Sequence, residues 1–336
     1  MKIINALLLI IILSLSATAA AHMSLKSSLP LADDGISFLK MSTVSVSIWS
    51  IGTLLNKLLI YIALAMTVGG LAAMFTLSRY NPRQLPFVNY LSLGCLLGLL
   101  AVTIGFFLQV GSFAEEGISG MWNPDYMPIL WDSGAGKSFR WQLFGWCLVL
   151  LTLALTWLMQ RSNLLFTVLS LIGVFIIAAS FTFIGHTVEA PLWVRIALIL
   201  HVLAAMWWMG SLYPLRCTCG ALDIPNLQSL MIEFGQQATY LVGLLVVVGA
   251  GVAYHLVGSF SNLVFTGHGN LLLLKLGTVA AILCLAAYHK FLLVPRLTNR
   301  PAVTALKRSL TIEMGIGFLI LLVTAVMSTA IGPTDG

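Results

Sequence analysis

Four histidines and two methionines are the residues of this chain whose types and positions best suit metal chemistry. His201 lies in the apolar run PLWVRIALILHVLAAMWWMG, about ten residues beyond Pro191. At 1.5 Å per residue that is roughly 15 Å, or half of a hydrocarbon core about 30 Å thick. An imidazole held there is costly and points to a function; the structural alternative is a neutral ring hydrogen-bonded between helices. His186 ends the fourth apolar run, His255 lies about eighteen residues into the sixth and His268 precedes the seventh, so all three map to the outer side. Three imidazoles near one level above a fourth describe a descending path. Imidazole and thioether ligands suit copper, and Met206 and Met209 follow His201 on its own helix. Met209, eight residues on, is expected on nearly the same face, with Met206 less well aligned; both are also ordinary packing residues. Histidines on neighbouring helices suit axial haem ligation as well. His186 and His255 match in depth for that purpose, whereas His201 has no evident partner.

Other groups within the apolar runs need partners of their own. Lys57 and Lys275 lie near the outer ends of the first and seventh runs, placed to snorkel outward or to repel a cation. Lys290 and Glu313 lie near the inner ends of adjacent helices, where a structural ion pair is expected and a proton or ion gate is the alternative. Arg216-Cys217-Thr218-Cys219 is a lone C-x-C expected in an inner loop, where thiolates would bind Cu(I). Cys95, Cys147 and Cys284 fall within apolar runs and read as small core residues.

The elements that position these residues follow from composition. With 59% hydrophobic and 8% charged residues and a mean hydropathy of +1.00, the chain is a multispan membrane protein rather than a soluble globule. Apolar runs at about 52–78, 87–110, 141–159, 163–185, 191–213, 237–258, 270–294 and 309–331 predict an all-α bundle of eight transmembrane helices, one domain over 52–336. Residues 1–21, with Lys2, an apolar run and Ser16-Ala17-Thr18-Ala19-Ala20-Ala21, read as a signal peptide or anchor, followed by a short periplasmic segment, 22–51. Arg79, Arg83, Arg161, Arg216, Arg296, Arg300, Lys307 and Arg308 fall on alternate connections, which assigns those to the cytoplasm and the C-terminus to the periplasm. The net charge of +6 mostly records these anchors, and no nucleic-acid motif uses it. The longest outer loop, about 111–138, carries Met121, Trp122, Tyr126, Met127 and Trp131 and suits a lid or partner surface, or an ordinary interfacial loop.

In order along the chain, Gly185-His186, HVLAAMWWMGSLYPL with His201, LLLLKLG around Lys275, HKFLLVP to Pro295 and RSLTIE from Arg308 to Glu313 resemble the copper resistance protein D (CopD) family. The resemblance covers about residues 180–332, and the first helices only in topology. It implies an eight-helix protein of the bacterial inner membrane that moves copper, often beside a small periplasmic copper-binding partner of the CopC-like kind. Such a protein works by ligand exchange, not bond-making, so no catalytic residue is expected. His289-Lys290 departs from the Asn-Arg expected there, which keeps a basic group and leaves the role of His289 open.

Overall fold

The structure, a computed structural model, describes residues 48–77, 80, 87–159, 164–185, 188–257 and 267–330. The signal-like segment and the short segment after it lie outside these residues, as does the C-terminal tail. The α-helices are α1 (Ile48–Leu77), α2 (Phe87–Ala114), the short α3 (Tyr126–Asp132), α4 (Gly134–Met159), α5 (Leu164–Ser180), α6 (Leu192–Ala221), α7 (Ile224–Val257), α8 (Gly267–Tyr288) and α9 (Arg300–Ala330). Among the described residues eight helices are long and apolar enough to cross a membrane, as composition predicts. The chain is thus a polytopic helical bundle.

Without a hydrophobic drive between helices in lipid, close packing needs small residues at the crossings. α1 packs against α2, α6 and α9, and α6 also against α7. The α1–α6 crossing is made by Gly69 and Gly210: a Cβ on Gly69 would lie 2.0 Å from the Gly210 carbonyl carbon, and one on Gly210 would lie 1.7 Å from the Ala65 carbonyl oxygen. α4 meets α5 in the same way at Gly145 and Gly173, where Thr152 and Ser170 share a hydrogen bond of 2.6 Å. Among the described residues two large apolar cores result. One gathers Leu64, Leu91, Cys95, Trp146, Ile177 and Met206; the other gathers Leu212, Leu230, Ile282, Leu306 and Leu310 around Trp208.

Several helices depart from their expected bounds: α7 begins at Ile224 rather than near 237, α9 begins at Arg300 rather than near 309, α5 stops at Ser180, and the most informative difference is in α6. It continues through Pro214 to Ala221, although a proline there removes the N–H that would bond the Gly210 carbonyl. The Tyr90 hydroxyl of α2 donates to that carbonyl at 3.1 Å, so the freed acceptor is satisfied from a neighbouring helix and the helix need not stop. Stacking of Tyr90 on Tyr213, with ring centroids 4.9 Å apart, holds the phenol in place.

The 111–138 segment is not an open loop. α2 extends to Ala114, a 3₁₀ turn covers Gly117–Trp122, and α3 follows. Leu130 is buried with Phe106 and Val110, Phe106 stacks on Phe139 at 4.7 Å, and Arg140 lies over the Trp131 ring while donating to the Trp131 carbonyl at 2.6 Å. The segment is therefore seated on α2 and α4, with Ile118, Trp122 and Ile129 left exposed.

Candidate functional site

The site is built on α6. His201 lies nine residues beyond Leu192, roughly 14 Å into a 30-residue helix, which places it between the helix's start and its middle. The ring is half-buried and lies against Gly249 of α7, where a Cβ would sit 3.6 Å from both Cε1 and Nδ1. A glycine at that position therefore leaves space beside the imidazole. Met206 is buried in the first core. Met209 packs against both cores and lies over Gly317 of α9, its Sδ 4.0 Å from where a Cβ on that glycine would be.

The shared face expected for His201 and Met209 is therefore only partial. Eight residues at 100° each leave about 80° between them, and the two side chains address different neighbours, α7 and α9. Along the axis they are roughly 12 Å apart. His255 lies six residues beyond Gly249 on α7, roughly 9 Å further along, and His268 is the second residue of α8. The side chains of His255, His268 and Lys275, and all of His186, fall outside the described residues. Among the described residues no three His, Cys, Asp or Glu side chains converge as a metal-binding group.

A second polar cluster lies further along α6, and only parts of it are legible in the sequence. Glu313, 2% exposed, accepts a hydrogen bond from Trp208 Nε1 at 3.0 Å and faces His289 Nδ1 at 2.9 Å. His289 Nε2 lies 2.5 Å from Ser309 Oγ. The expected Lys290–Glu313 pair is thus not formed. α8 widens into a π turn over His289–Leu293, closed by the Val294 N–H on the His289 carbonyl at 2.9 Å. That turn directs His289 at α9, while the Lys290 amine donates to Thr239 of α7 at 2.5 Å and lies over the Phe291 ring.

Two smaller expectations change as well. Cys217 and Cys219 sit on the last turns of α6 rather than in a loop; two residues on a helix point about 200° apart, and Cys219 is buried with its thiol on the Leu215 carbonyl. They do not form a chelating pair. The Lys57 amine donates to the Ser328 carbonyl at 2.5 Å, in the last turn of α9, where a cation suits the helix dipole.

Two profiles match the chain. Copper resistance protein D matches residues 228–327, and Copper resistance protein D-like, N-terminal domain, matches residues 48–193. The chain belongs to the copper resistance protein D family. No curated protein and no solved structure matches it. Membership in the CopD family makes it a copper-handling membrane protein, and it extends the relation to the first helices, where the sequence resemblance is one of topology alone. Neither CopD profile supports the haem alternative. The N-terminal profile takes in α1 to α5 and the C-terminal one α7 from Gln228 through most of α9. Most of α6, with His201, Met206, Trp208 and Met209, lies between them and is covered by neither profile.

Proposed function

We propose that this CopD protein moves copper across the bacterial inner membrane by exchange between imidazole and thioether ligands, His201 being the ligand within the span. The observation that carries this is an imidazole inside an apolar bundle, set against a glycine on α7, on the same helix as a methionine where the two cores meet. His186, His255 and His268 receive the ion at the outer end, and Met209 takes it onward. Met206, buried in the first core, lies to one side of that route. Cells expressing the chain are expected to hold several-fold more copper than cells carrying the empty vector, with zinc unchanged, as measured by mass spectrometry. Equal copper contents would sink the proposal.

The exchange needs a source, and the segment seated on α2 and α4 offers one a docking place on the periplasmic side. Met121 and Met127 are half-buried there beside exposed Trp122 and Ile129. A soluble periplasmic copper-binding protein of the CopC-like kind fits that surface. One labelling experiment checks both sidedness and partner: an impermeant thiol crosslinker added to intact cells should react with a cysteine introduced at Met121, spare Cys217 and capture a copper-loaded partner. Reaction at Cys217 would reverse the orientation; capture that ignores copper would remove the partner.

A further inference from the structure

We propose that His289, Glu313 and Ser309 form an intramembrane proton-binding site, tied to α6 through Trp208, whose filling is coupled to copper movement; the coupling, though not the site, rests on the copper-transport reading. A carboxylate inside a membrane bundle is costly and marks ion or proton pathways by default. Glu313 is met by two donors, Trp208 Nε1–H and His289 Nδ1–H, and both of its oxygens are used. With Nδ1 committed to the carboxylate, the remaining lone pair of the ring is on Nε2, and the group facing it is the Ser309 hydroxyl. A hydroxyl donates or accepts by rotating its hydrogen.

The site therefore accommodates two protonation states without moving a heavy atom. In the first, neutral His289 accepts the Ser309 hydroxyl hydrogen. In the second, a proton from solution adds to the Nε2 lone pair, Nε2–H donates to Ser309 Oγ, and the hydroxyl hydrogen turns away. No covalent bond other than the new N–H forms, none breaks in the protein, and the cluster goes from a net charge of −1 to neutral. His289 is the natural point of entry, since its side chain is 11% exposed against 2% for Glu313, and it opens the π turn, a feature frequent at functional sites.

The surrounding charged groups are engaged elsewhere. Lys290 bonds Thr239, Arg216 of α6 donates to Thr311, and Glu233 of α7 accepts from Gln237 at 3.5 Å. Lys307 and Arg308 of α9, like Tyr240 of α7, are exposed, and Cys219 of α6 bonds its own helix. The unprotonated cluster thus leaves one negative charge inside the bundle, attached through Trp208 to the helix that carries His201 and Met209. A proton compensates that charge, and so does a passing copper cation of single charge. Copper arriving and a proton leaving are then one exchange.

The test uses the purified full chain in liposomes that enclose a pH-sensitive dye, with the membrane potential clamped and copper added outside. Wild-type protein should move protons opposite to copper, and Glu313→Gln, which keeps an acceptor for Trp208, and His289→Gln should reduce proton movement to that of empty liposomes. Proton movement persisting in Glu313→Gln overturns the site, and copper entry with no proton movement in the wild type overturns the coupling. If wild-type protein moves no copper at all, the transport reading fails, and the site is then decided by nitrogen NMR of histidine-labelled protein. The resonance lost in His289→Gln should pass from acceptor to donor at Nε2 on acidification. A single state at every pH at which the protein stays folded overturns it.

Discussion

His201→Ala is expected to lower copper accumulation to that of cells lacking the protein, while the variant inserts and purifies in normal amounts. The two halves of that expectation have different physical origins. Insertion depends on the apolar length of α6, which the substitution leaves intact, and one lost hydrogen bond between membrane helices costs only about 0.6 kcal/mol on average. Transport depends on a ligand within the span, because an ion leaving water needs replacement donors at each step of a core about 30 Å thick. Met209→Leu preserves volume and removes only a soft ligand, so a several-fold reduction is expected in place of abolition. Copper content by mass spectrometry, normalised to protein in the membrane, reads both variants. Normal accumulation in His201→Ala would make that histidine a packing residue and end the pathway through α6.

The spans were legible because lipid demands long apolar runs, and α2 and α5 were found within a few residues by that rule. What the sequence hides is how neighbours rescue what a single helix cannot satisfy. Pro214 reads as a helix end, and only Tyr90, more than a hundred positions away, shows why α6 continues. The same limit governs the candidate site. His201 stood out because depth alone makes an imidazole conspicuous, whereas its neighbour Gly249 carries no chemical signal. Glu313 is conspicuous too, and the sequence pairs it with Lys290; neighbouring residues on a helix point about 100° apart, and beside the π turn it is His289 that faces Glu313. From sequence the 111–138 segment reads as a loop because its turn formers obscure a short helix that is fixed by Leu130 and the aromatic contacts of Phe106 and Trp131.

Gly210→Ala is expected to have the largest effect on stability. The added methyl would lie 1.7 Å from the Ala65 carbonyl oxygen and 2.6 Å from its carbon, and both are backbone atoms of a buried helix. A flexible side chain could turn aside; a helix backbone cannot, so α1 and α6 must separate. Separation also pulls the Gly210 carbonyl from the Tyr90 hydroxyl, leaving an acceptor that Pro214 has already deprived of its helical partner. Overpacking costs about 1–3 kcal/mol in ordinary cores and more where nothing can yield, so a loss of about 3 kcal/mol or more is expected. It should be seen as a markedly lower unfolding temperature in detergent and reduced protein in the membrane. Gly220→Ala, on the last turn of the same helix with nothing within 4 Å of its added Cβ, is the control and should hold or slightly raise stability, since alanine favours helix over glycine by about 1 kcal/mol. Equal unfolding temperatures for the two variants would mean that the α1–α6 crossing is looser than this contact, and that His201 and Met209 are not held by it.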